Sequence, residues 1–284
     1  MNRQQMIKKI ESITDLPTLP SVAMEINRML QDVNTPIENL VGMLEKDQSL
    51  ALKMLRLVNS SFYGFKSRIA SLRHAVTLMG YSTVQHAVVT VSVIDCLKTS
   101  ATFDGFDISR FWTHSISVAV ISRHLASRTR LALPEEAFTA GLVHDIGKII
   151  LVNHFPDVFV ELIGATASGD MTFSAAEKNG DTYPHHLIGS VLARRWMLPE
   201  PLRRSIKNHH GACARGADDN LAGLVSVADT LVNVMDSIPG CRIEPGVIPE
   251  GIRGPVTGTL KESAAWFPQA RQEMTLACDF FNKG

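Results

Sequence analysis

Apolar residues recur at helical spacing along most of this chain, and on five of the resulting stripes an imidazole or a carboxylate stands where a hydrophobic side chain belongs. Val22, Ile26, Met29 and Leu30 fall at i, i+4, i+7 and i+8, which is one face of an α-helix. Leu50, Met54, Leu57 and Val58 mark a second helix. Ser71 with Leu72, Ala75, Val76 and Met79 marks a third, which Gly80 can end in a left-handed conformation. Thr35-Pro36-Ile37-Glu38 reads as a capping box with proline at the first helical position, where its missing N–H costs nothing. Further helices are expected over residues 107–127, 134–152, 184–196, 199–210 and 221–235, and a last one carries Trp266, Met274 and Phe280. Only residues 88–94 have strand propensity, being rich in β-branched side chains. No second segment of that character exists to pair with them, so they too are assigned to a helix. The expected fold class is all-α.

Punctuation divides the chain. The small polar stretch 99–105 suits a joint between two helical parts, giving subdomains over 1–105 and 106–236. Residues 238–258 hold four prolines and five glycines, too many for the interior of an element, so the remainder, 237–284, reads as a loop or wrapping segment followed by one helix. The methionines Met24, Met29, Met43, Met54 and Met79 suit core packing. Asn59-Ser60-Ser61 suits a helix end followed by a turn.

Composition excludes several classes. With 45% apolar residues and 28 Lys+Arg against 28 Asp+Glu in 284 residues, intrinsic disorder is ruled out. Zero net charge gives no global pull toward nucleic acid or anionic membrane. No apolar run approaches the ~20 residues needed to span a bilayer. The first ten residues lack the apolar stretch of an export signal. Cys96, Cys213, Cys241 and Cys278 lie far apart without a CxxC pair, as reduced thiols do. A cytoplasmic protein with no membrane partner is expected, and nucleic acid is not an expected partner.

The polar intrusions carry the functional signal. In GLVHDIGK, Asp145 follows Leu142 by three residues and precedes Ile149 by four, which aims a carboxylate at or beside the core. Such a group must find a cation, a strong donor or a metal. Neighbouring helical residues project about 100° apart, so mid-helix His144 and Asp145 can both reach an ion between them. Ala140 and Gly141 would leave room for it. His114, His185, the pair His209-His210 and Asp229 lie on or near the apolar stripes of four other helices. Taken singly, each suits a hydrogen-bonded core residue. Together, nitrogen and oxygen donors from several helices suit a site for one or two divalent ions, with Fe, Mn, Ni and Zn all compatible. If the site is catalytic, Asp145 is the natural bridging carboxylate between two ions. Lys148 either holds a substrate phosphate as a point charge or is a solvated lysine. Arg194, Arg195, Arg203, Arg204 and Lys207 form a basic cluster that reads as a charged solvent face or an anion contact.

The order of these groups, a histidine, then a His-Asp pair, then a distant aspartate, resembles the HD metal-dependent phosphohydrolase superfamily. Within it the chain is similar to the HDOD domain, the HD-related output domain of bacterial signalling proteins. LPTLPSVAMEI (16–26), LRLVNSSFYG (55–64), SLRHAVTLMG (71–80), FWTHS (111–115), AFTAGLVHDIGK (137–148), HHLIGSVLARRWMLP (185–199), His209-His210 and LVSVADTLVN (224–233) carry the likeness. The resemblance implies an N-terminal helical bundle packed on an HD-like bundle, acting in signal transduction through a protein partner or a small phosphorylated ligand. It leaves open whether the metal site is also a working phosphohydrolase or phosphodiesterase acting on a nucleotide or phosphoester. In related HD-GYP phosphodiesterases, the counterparts of His185, His209 and His210 resemble ligands of a second metal. Here GAC (211–213) follows the pair in place of Gly-Tyr-Pro, which weakens any claim to hydrolysis of cyclic di-GMP.

Overall fold

The computed structural model describes residues 3–13, 16–29, 35–60, 62–65, 67–97, 106–166, 171–210, 219–237 and 248–283. Among them every long element is an α-helix and no β-strand occurs. The first group comprises α1 (Arg3–Ser12), α2 (Ser21–Met29), α3 (Ile37–Leu44), α4 (Gln48–Val58), α5 (Leu72–Met79) and α6 (Tyr81–Cys96). Then come α7 (Ile108–Thr129), α8 (Pro134–Val143), α9 (Ile146–His154), α10 (Pro156–Thr166), α11 (Phe173–Asn179), α12 (His185–Arg195) and α13 (Glu200–Asn208). The chain closes with α14 (Asn220–Ser237), α15 (Arg253–Lys261) and α16 (Ser263–Lys283). No single described helix is long and apolar enough to cross a membrane.

The β-branched segment 88–94 is helical, inside α6, and Val84 and every residue from His86 to Ile94 are buried. A helix wrapped on all sides by protein has no polar face to alternate with. Its residues are therefore chosen for packing, and tertiary contacts override the strand propensity. Helices α2 to α6 pack on one another, and α6 reaches α8 of the other half. One large apolar core runs through both halves, with a small second cluster of Val58, Ile69 and Ala75 beside α4 and α5. Helix α1 joins the second half: Arg195 donates to the carbonyls of Ile10, Glu11 and Ile13, and Lys9 donates to that of His154. One member of the basic cluster is thus spent on closing α1. Arg203 and Arg204 pair with Glu200 and Asp219.

Several local expectations change. Thr35 is no capping box: its hydroxyl donates to the carbonyl of Met29 at 2.6 Å, and Pro36 is the N-cap of α3 without a side-chain bond. Gly80 takes φ +78° but ψ 164°, so it turns the chain straight from α5 into α6. The expectation of a loop through 258 fails in its last part, because α15 starts at Arg253. Pro255 sits in its first turn, where an absent N–H is tolerated. The suggested joint at 99–105, residues 238–247, Ser61, Cys213 and Cys241 lie outside the described residues. Asn59 closes its turn by pairing with both backbone groups of Ile69, at 2.7 and 2.8 Å.

Candidate metal centre

Close backbone approach places the helices that carry the polar groups. A Cβ on Gly141 of α8 would stand 2.7 Å from the Cα of Ala119, so α7, which brings His114, rests directly on α8. Gly141 therefore provides helix contact and not room for an ion, contrary to the sequence expectation. A Cβ on Gly147 of α9 would meet the carbonyl oxygen of His185 at 1.9 Å. Only glycine lets the first turn of α12 lie there, and that turn delivers His185.

The expected continuous helix over 134–152 is broken at the His-Asp pair. Helix α8 ends at Val143 and α9 begins at Ile146, with Asp145 between them at φ −103° and ψ 8°. Asp145 holds the N-cap position of α9 but makes no side-chain cap bond, which leaves its carboxylate to face the cluster. Apolar periodicity continues through the break, so the pattern concealed it.

All seven residues singled out as metal donors come together. Asp145 stands between two groups and turns one oxygen to each. Its Oδ1 lies 3.0 Å from Nε2 of His185 and 3.7 Å from Nε2 of His209. Nε2 of His210 is in turn 3.1 Å from that of His185. Its Oδ2 lies 3.3 Å from Nε2 of His144 and 4.0 Å from Nε2 of His114. Oδ1 of Asp229 completes the second group at 3.1 Å from His114 and 3.8 Å from His144. Within each group, Asp145–His185–His209–His210 and His114–His144–Asp229, the ligand atoms lie within 4.8 Å of one another.

The imidazoles are aimed by their far nitrogens. Nδ1 of His144 faces the carbonyl of Gly141 at 2.7 Å, and Nδ1 of His209 faces that of Ile206 at 2.8 Å. A carbonyl only accepts, so each Nδ1 carries the proton and each Nε2 is offered to the centre. His144, Asp145, His185 and His209 are buried, whereas His114, His210, Asp229 and Lys148 are partly exposed on the outer side. Those outer residues, Lys148, His210 and Asp229, help to line a cleft of about 580 Å³ with Met171, Thr172, Phe173, Ser174, Thr230, Asn233 and Val234.

Charge in the centre is strongly coupled. Burial opposes ionisation of Asp145, but His144 and Lys148 hold its carboxyl well below the usual range. Asp229 is held down likewise, by the neighbouring His114 and His144 imidazoles against the same burial. His144 is pushed up, because Asp145 and Asp229 outweigh its burial, and His185 is raised by Asp145 and Glu177. His210 is lowered by burial and by His209 and His185. The ammonium of Lys148 is 2.5 Å from Oδ2 of Asp145 and lies over the ring of Phe173.

A metal fits these residues on one observation. Nε2 of His144, Oδ1 of Asp145 and Nε2 of His209 are fully buried and have no hydrogen-bond partner. Buried polar atoms are nearly always paired, so unpaired donors in both groups suit the coordination of cations. Sequence reasoning missed two neighbours. Glu177, only 1% exposed, accepts from the backbone N–H of His185 at 2.6 Å and faces its Nδ1 at 2.7 Å, and His186 lies against the same ring. Glu177 sits in a seven-residue helix with too few turns to show an apolar stripe.

Comparison with known proteins agrees with this architecture. Residues 16–212 match the HDOD domain family. An HDOD domain protein of unknown function from Geobacter sulfurreducens superposes with a TM-score of 0.77 at 25% identity, covering 98% of this chain and 97% of that one. A Shewanella amazonensis protein provisionally called a phosphohydrolase superposes with a TM-score of 0.75 at 25% identity, covering 96% and 97%. An uncharacterized protein of Treponema pallidum is 26% identical over 201 residues, 70% of this chain but 38% of its own length. The chain thus spans well under half of that curated relative.

Proposed function

The chain belongs to the HDOD domain family, and from that membership and the donor geometry we propose that it is a cytoplasmic signal-transduction output module whose HD half holds one or two divalent metal ions. The observation that supports the metal most directly is that both donor groups contain buried atoms without a hydrogen-bond partner, Nε2 of His144 in one and Oδ1 of Asp145 and Nε2 of His209 in the other. His114, His144 and Asp229 would hold one ion and Asp145, His185, His209 and His210 the other, with Asp145 shared. Fe, Mn, Ni and Zn all accept such imidazole and carboxylate sets. The signalling role rests on family membership and implies a protein partner or a small phosphorylated ligand.

A second reading, hydrolysis of a phosphoester at this centre, is favoured by the cleft. Its lining includes His210 and Asp229, so the donors are reachable from solvent. A divalent ion there acidifies water and polarises a phosphoryl oxygen. The chain's own contribution is to aim the imidazoles through Gly141 and Ile206, to keep Asp145 ionised, and to hold the Lys148 ammonium beside Asp145 in the lining of the cleft.

Purified protein dialysed against Mn or Fe and assayed on a generic phosphodiester and a nucleotide panel separates the two readings. The module reading expects bound metal that His144→Ala with Asp145→Ala removes, whatever the turnover. Turnover that disappears in the double variant supports the hydrolase. Turnover that persists in it places the chemistry elsewhere.

A further inference from the structure

We propose that Glu177 is a positioning residue that fixes His185 as the Nδ1–H tautomer and so turns its Nε2 toward the metal centre, an inference that rests on the metal reading above. His185 opens α12, and the residue before it, Pro184, makes no side-chain cap bond. Glu177 on α11 takes over that task from a distance. Its Oε1 accepts the backbone N–H of His185 at 2.6 Å while its Oε2 accepts from Nδ1 at 2.7 Å. One buried carboxylate therefore holds both the backbone and the ring of a single residue, leaving the ring no freedom to flip. With Nδ1 protonated, Nε2 is left facing Oδ1 of Asp145 at 3.0 Å and Nε2 of His210 at 3.1 Å. A carboxylate behind a ligating imidazole also makes it a stronger donor, and loss of such a group weakens metal affinity about 10- to 100-fold.

Glutamine is the informative replacement because it has the same shape. Its single carbonyl oxygen can keep the backbone N–H, but its NH2 then faces Nδ1 and demands an acceptor there. The proton moves to Nε2, and His185 can no longer ligate. The test uses the full chain and Zn2+ alone. Competition with a chelator is expected to show about 10- to 100-fold weaker zinc binding in Glu177→Gln than in wild type, with helical content by circular dichroism unchanged. Equal affinity overturns the assignment, even when the variant melts earlier, because a merely structural role predicts that result.

A second readout needs no variant. In zinc-loaded wild-type protein with 15N-labelled histidine, the His185 ring is expected to show a proton on Nδ1 and zinc on Nε2. Zinc on Nδ1, or a proton on Nε2, overturns the proposal while leaving the metal reading intact. Wild-type protein that takes up no zinc overturns both.

Discussion

Residue by residue, this molecule sets buried polar groups with partners beside buried polar groups without them. His86 is of the second kind: it lies in the middle of α6, only 6% exposed, and its Nδ1 has no hydrogen-bond partner. Burial lowers its pKa to about 4. The unfolded chain therefore takes up this proton near pH 6.5 and the folded one only near pH 4. Stability from this residue is complete above the first value and falls as the pH drops toward the second, by about 3 kcal/mol in all. Urea titrations at pH 7.5 and pH 4.5 should show the loss in wild type and a smaller one in His86→Leu. An equal loss in both would show that His86 does not titrate as its surroundings require. Gly147→Ala is expected to cost about 3 kcal/mol and to displace His185, since its Cβ meets a backbone carbonyl that cannot rotate away. Thermal melts of the two proteins check this. The donor residues were legible because each interrupts an apolar stripe. Glu177 was not, because the property that matters is what it faces from another helix.

At the scale of elements, helix α16 is fastened along α7. Glu273 binds Arg123 at 2.9 Å and His124 at 2.8 Å, and His124 stacks on Trp266, over which Arg128 also sits. Arg123 lies over the rings of Phe62 and Phe138 as well, so the same cluster touches the turn after α4 and helix α8. Burial opposes ionisation of Glu273, but His124 and Arg123 lower its pKa to about 2. A depressed carboxyl contributes stability above about pH 4.5 that is lost as the pH falls to about 2. Glu273→Gln should be less stable than wild type at pH 7, with the gap closing over that acid range in paired denaturation curves. A gap independent of pH would assign the loss to packing instead. Helix positions were largely readable from periodicity and punctuation. Expected and observed limits differ by a residue or two at α7, α12, α13 and α14; the structure adds that Asp107 caps α7 by accepting from the backbone N–H of Ser109. The break at His144 and Asp145 was not readable, because the apolar register of α8 continues into α9. Helices α1, α10 and α11 escaped notice, although α1 and α10 are longer than α3 and α5, which Pro36 and Ser71 announced at their starts.

Across the whole molecule, the donors sit where separate parts of the chain meet: α7, the α8–α9 break, α12, the end of α13, and α14. A metal bound among these points stabilises the folded chain by linkage, about 2.7 kcal/mol when the ion is at a hundred times its dissociation constant. Stripping the protein with a chelator should therefore lower its melting temperature by several degrees, and restoring the ion should return it. His144→Ala with Asp145→Ala should make the melt insensitive to both. The central claim, that these buried donors form a metal centre, is tested most directly by diffraction at the zinc absorption edge from crystals of the wild-type protein. Anomalous density is expected between Asp145 and the imidazoles of the two donor groups, about 2.0–2.2 Å from their nitrogen and oxygen atoms. Crystals equilibrated with zinc that show no density there, or show it only on surface residues, would contradict the account.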